Sequence, residues 1–255
     1  MEKKKMSKGK KIFTFVGVIL VAFVVGVGYL VIKDLEQEDL LKKEIVNVSN
    51  KDFLTDNYDI EVKTTGDYAY IEEAIKKYYK KLSDSIKTIN SYLNDEDLIQ
   101  ILSAENLQVD GPNFEKSHKI LNDTRNNSTL AMQTIIDLCN EDTIKNLIDK
   151  DKIDNYSYNL YLELMYTDND LEELAETQKE MENISNHLNV FLDKVEAMIQ
   201  LLEKNSSYWY IEDGQLYFET DALVSQYNGL YDDLNQYVKD NFSSSNNESN
   251  TNSSI

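Results

Sequence analysis

The chain has 255 residues, with 46 acidic and 26 basic side chains and a formal net charge of −20. Seven of the bases but one acid fall in the first 33 positions, so the remainder carries 19 bases against 45 acids. Such a surface repels nucleic acid, anionic headgroups and polyanionic wall polymers, and favours cationic peptides, divalent ions or a basic protein partner.

Residues 12–32, from Ile12 to Ile32, carry no charge. As a helix they would span about 31 Å, close to the roughly 30 Å hydrocarbon core of a bilayer. Lys3, Lys4, Lys5, Lys8, Lys10 and Lys11 precede this segment, while Asp34, Glu36, Glu38 and Asp39 follow Lys33. Positive charge stays cytoplasmic, so residues 1–11 are expected inside as a basic stub and residues 33–242 outside the cytoplasmic membrane. The run is longer than a signal-peptide core, and its small-x-small pattern, Gly26-Val27-Gly28, lies inside it, which favours an uncleaved anchor. A cytoplasmic portion this short argues against autonomous signalling.

Beyond the anchor, four glycines and one proline in about 210 residues disfavour a turn-dense β fold. A first helix is expected over 35–46. Residues 58–63 form a possible short strand. Ile71, Ile75, Tyr78, Leu82, Ile86, Ile89 and Leu93 then recur at steps of three and four, the signature of a helix with one buried stripe. A shorter helix is expected over 95–104, after Asn94-Asp95.

Asp110-Gly111-Pro112 signposts the next helix, with proline at its first position. Its stripe runs through Phe114, His118, Leu121, Met132, Ile135 and Cys139. Arg125, the single arginine, falls on that stripe. Two readings of Arg125 stand. Its stem packs while its head reaches solvent or a carboxylate, or it forms a polar pocket with residues such as Gln178 that recognises an anionic group.

Helices over 142–149 and 156–166 precede a long stripe: Leu171, Leu174, Met181, Ile184, Leu188, Phe191, Val195, Met198 and Leu202. Asp168-Asn169-Asp170 resembles the start of a calcium loop, but Glu173 replaces the required glycine and Lys179 the closing glutamate, so helix capping accounts for it. Residues 208–220 read as a β-hairpin about Asp213-Gly214, with Ile211 opposite Leu216 and Trp209 opposite Phe218. Alternation collects those four on one face and puts Tyr208, Tyr210, Glu212, Gln215, Tyr217 and Glu219 on the other. The 58–63 strand could join this pair. A helix over 221–238 and a serine- and asparagine-rich tail over 243–255, expected to be disordered, complete the chain.

The expected fold is therefore mainly α: a single N-terminal transmembrane helix, then one extracytoplasmic helical bundle with long antiparallel helices and a small C-terminal β-hairpin. The heptad stripes could instead form an intermolecular coiled coil, but the short intervening helices favour self-packing.

Catalytic signatures are absent from the sequence: no HExxH, CxxC, GxSxG or phosphate-cradling glycine loop. With Cys139 the single cysteine, no intramolecular disulfide can form, and it reads as a buried apolar side chain. His118 and His187 read as packing residues, so no metal, cofactor or catalytic role is assigned. Lysine outnumbers arginine 25 to 1, and asparagine, isoleucine and tyrosine are abundant, as in AT-rich bacterial genomes.

The functional expectation is a membrane-anchored, extracytoplasmic, non-catalytic interaction or scaffold module of a bacterial envelope. Tyr208, Tyr210 and Tyr217, with Arg125, are the candidate contacts for a protein partner, for which a basic one is the expectation. A ligand-binding sensor acting through a separate membrane partner, and an immunity-type antagonist of a cationic toxin, are the alternatives.

Overall fold

The computed structural model describes residues 36–166 and 168–242 and is mainly helical, 74 % helix. The stub 1–11, the apolar segment 12–32 and the tail 243–255 lie outside the described residues. Among the described residues, no helix is long and apolar enough to cross a membrane. In chain order the helices are α1 (Glu36–Ser49), α2 (Asp67–Leu93), α3 (Glu96–Ile99), α4 (Ala104–Asp110), α5 (Glu115–Leu138), α6 (Glu141–Lys145), α7 (Asn155–Met165), α8 (Asp168–Lys204) and α9 (Asp221–Phe242). A 3-10 turn, Lys150–Lys152, precedes α7, and strands β1 (Trp209–Glu212) and β2 (Gln215–Phe218) precede α9. Residues 36–91 with 128–183 form one compact unit, and 92–127 with 184–242 form another.

In the first unit, the three-four spacing on α2 places Ile71, Ile75, Tyr78, Leu82, Ile86 and Ile89 on one stripe, each at most 2 % exposed. Burying each such side chain contributes roughly 1.5–3 kcal/mol. Met132, Ile135, Ile144 and Tyr161 are equally enclosed, and the Tyr161 hydroxyl donates to the Ile144 carbonyl at 2.6 Å. Phe53 and Tyr58 stack with centroids 5.5 Å apart, and Tyr79 stacks on Phe53 at 6.2 Å.

Residues 58–63 do not form a strand; the sheet among the described residues has two strands only. Long side chains take up the backbone groups that a ladder would have used. The Glu72 carboxylate accepts from the Lys63 amide at 3.0 Å, the Thr64 amide at 2.8 Å and the Thr64 hydroxyl at 2.7 Å. Lys76 donates to the Glu61 carbonyl at 2.6 Å, and just ahead of the segment Lys51 donates to the carbonyl of Asn57 and Lys87 to that of Asp56.

These contacts grow from a buried ionic cluster. Lys76 lies 2.6 Å from Glu72 and 3.1 Å from Glu44, and Glu44 also meets Lys63 at 2.9 Å. Glu72 is fully buried and Glu44 and Lys76 nearly so. Burial pushes both carboxyls up, but their bonds outweigh it: Lys76 and Thr64 hold Glu72 below its ordinary pKa, and Lys63 and Lys76 do the same for Glu44.

The second unit opens with short, well-capped helices. Asp95 caps α3 through the amides of Asp97 and Leu98, and Ser103 caps α4 through that of Asn106. The helix expected over 95–104 therefore ends at Ile99, and a separate helix, α4, begins at Ala104 where Ser103 caps it. In the first unit, the expected 142–149 helix contracts to α6, which Asn140 caps.

Pro112 is not the first residue of α5, as its spacing predicts. It lies in a turn, and α5 begins at Glu115. The Asp110 carboxylate supplies the cap, accepting from the Lys116 amide at 3.0 Å and the Ser117 amide at 2.7 Å. Between them Phe114 holds φ at 50° while fully buried. That left-handed backbone costs about 1–3 kcal/mol, offset by the packing of the ring. Leu107, Leu121, Leu192, Val195, Met198, Ile199 and Leu202 are at most 2 % exposed within this unit.

Candidate functional site

The hairpin is where local chemistry and exposure converge. Asp213 and Gly214 take φ of 50° and 72°, the two positive values that a type I′ turn requires. The ladder pairs Trp209 with Phe218 and Ile211 with Leu216, the register read from the sequence. Period-two alternation then separates two faces.

The inner face is anchored through Trp209. Its indole N–H donates to the Leu202 carbonyl at 2.8 Å, and its ring stacks on Phe114 with centroids 5.9 Å apart. Gly111 permits this approach: a Cβ there would lie 2.8 Å from the indole and 2.6 Å from the Leu107 carbonyl. Phe218 meets Tyr227 of α9 at 5.2 Å. Burial raises the Tyr227 hydroxyl to about 12, so it stays protonated in the physiological range.

The outer face presents Tyr208, Tyr210 and Tyr217, which are 50 %, 47 % and 39 % exposed. Tyr210 and Tyr217 face one another across the ladder and stack at 5.5 Å with planes 15° apart. Glu212 and Glu219 flank them and are exposed. From 205 to 223 the chain carries four acids, Glu212, Asp213, Glu219 and Asp221, and no base.

Arg125 lies elsewhere on the second unit. Its guanidinium donates to Asp193 at 2.8 Å, to the Asn189 side chain at 3.2 Å and to Glu196 at 3.4 Å. The head is thus held by carboxylates of α8, as the packing reading of this residue requires. Gln178, the partner suggested for an anion pocket, donates instead to Glu182. His118 is part-buried 3.5 Å from Glu203, and His187 meets the Tyr237 hydroxyl at 2.8 Å. Burial pushes the Cys139 thiol up to about 12. Among the described residues, no group of three His, Cys, Asp or Glu side chains is placed to hold a metal ion.

Alternation puts Trp209 on the inward face, but no pattern in the sequence marks Phe114, Gly111 and the Leu202 carbonyl as the groups it meets. The single available signal is Gly111-Pro112, a break between two helical stripes where a large ring can approach the backbone. No protein-family model matches the chain, and neither a curated protein nor a solved structure matches it.

Proposed function

We propose that this protein is a non-catalytic interaction module, anchored in the cytoplasmic membrane of a bacterium through residues 12–32 and working outside it. The observation that carries this reading is the exposed tyrosine face of the hairpin. Tyrosine supplies contact area at low conformational cost, and Tyr208, Tyr210 and Tyr217 sit on a strand pair whose other face is fixed by Trp209 and Phe218. Supporting the address are the uncharged run and the lysines before it. The acidity of the remainder favours a basic partner.

Proximity labelling in intact cells tests the proposal. The full chain is expected to mark a specific neighbour, and a variant with alanine at positions 208, 210 and 217 to lose it. Arg125→Leu is expected to retain that neighbour, because the guanidinium is engaged by Asp193 and Glu196. Recovery of no specific neighbour, or the same neighbour from the triple-alanine variant, would count against this reading.

A further inference from the structure

The hairpin has a second interaction element besides its tyrosines. Glu219 donates its amide to the Tyr208 carbonyl at 2.9 Å, so the hydrogen-bonded pairs of the ladder are 208 with 219, 210 with 217 and 212 with 215. The backbone N–H and C=O groups of Trp209 and Ile211 therefore point away from β2, along the outer edge of β1. Beside that edge lies an open hollow of about 250 Å³, lined by Leu107, Gln108, Pro112, Ser206, Trp209 and Ile211. Among the described residues this edge has no backbone partner, and an open edge next to an apolar recess has the two features that strand addition uses: backbone bonds for affinity and a pocket for alternate side chains.

Charge selects the occupant. Residues 205–223 carry four acids, and residues 104–112 add Glu105 and Asp110, with no base in either stretch. A strand laid along β1 would send alternate side chains to opposite faces. One set would enter the hollow beside Trp209 and Ile211. The other would lie next to Tyr208, Tyr210 and Glu212, where an ammonium or guanidinium gains both a carboxylate and aromatic faces. We propose that β1 is a docking edge for an extended cationic segment of a partner protein, in which apolar residues alternate with lysine or arginine. This rests on the interaction-module reading above and names the chemistry of its partner.

Trp209 is the single tryptophan of the chain, so its emission reports on this edge. The probe is a short peptide alternating lysine and valine, added to the full chain in neutral detergent. Its addition is expected to shift Trp209 emission saturably and to slow hydrogen exchange at the Trp209 and Ile211 amides. A central proline in the peptide should abolish both effects, because it removes a ladder donor. Glu212→Lys, an exposed change on the tyrosine face, should weaken binding roughly tenfold with the emission of the free protein unchanged. No saturable shift would overturn the proposal. So would a shift without added protection of the two amides, which would indicate contact through the tyrosine face alone. Either result, with a specific neighbour still recovered by proximity labelling, leaves the interaction-module reading standing and removes strand addition.

Discussion

The indole N–H of Trp209 and the carbonyl of Leu202 meet at 2.8 Å, which ties the hairpin to the last turn of α8. That carbonyl also accepts from the Asn205 amide at 3.2 Å, so a helix end that lacks intrahelical partners is doubly served. Trp209→Phe keeps an aromatic ring but removes the donor and part of the packed indole, the lost hydrogen bond alone costing about 1 kcal/mol. Gly111→Ala should cost more, about 1–3 kcal/mol, because its methyl would meet the Leu107 carbonyl and the indole together. Denaturant unfolding followed by circular dichroism checks both, and an alanine variant as stable as the parent would contradict the close approach described at Gly111.

Lys76 holds one fully buried carboxylate, Glu72, and one nearly buried, Glu44. Lys76→Met fills similar space and removes the cation, leaving the fully buried Glu72 without its ion pair while Glu44 keeps Lys63. A loss of about 3–5 kcal/mol is expected, since breaking a buried pair strands its partner. Replacing all three with apolar residues of similar volume should recover most of that loss. Thermal unfolding of the single and triple variants separates the two cases.

The same cluster sets a dependence on acid. Glu72 and Glu44 have folded pKa values below their ordinary 4.5, so the folded state binds protons less readily than the unfolded one. Their stabilisation is fully present above the unfolded value and is lost as pH falls through the folded one. Stability is therefore expected to decline below about pH 4.5, and Glu72→Gln should flatten that decline. Unfolding midpoints across an acid series provide the comparison; equal slopes for parent and variant would exclude Glu72 as a source.

Ser128 is fully buried on α5, and among the described residues its hydroxyl has no hydrogen-bond partner. Removing an unsatisfied hydroxyl relieves a desolvation cost. Ser128→Ala is expected to be neutral or to stabilise by up to about 1 kcal/mol, unlike most buried substitutions. A measured loss greater than that would mean that the hydroxyl has a partner in solution.

How much of this was legible in the sequence varies with the range of the forces involved. The hairpin was readable in full, because Asp213-Gly214 and the alternation from Trp209 to Phe218 are local and agree. The stripe on α2 was readable for the same reason. Residues 58–63 misled because backbone groups among them are satisfied from Glu72 and Lys76, well along the chain. Glu72 and Lys76 themselves look like an ordinary solvated i,i+4 pair, and no pattern in the sequence marks their burial. Arg125 was placed on its stripe correctly, but Asp193 and Glu196, some seventy positions away, had no signal to name them.

The hairpin also constrains what the chain can tolerate at its turn. A substitution on the tyrosine face leaves the anchoring face unaltered, so the outward chemistry is free to be retuned residue by residue. Deleting one residue within a strand is different, because the two-residue period would send Trp209 and Ile211 out to water and draw tyrosines inward. The surface offered to a partner is therefore variable in composition but fixed in length.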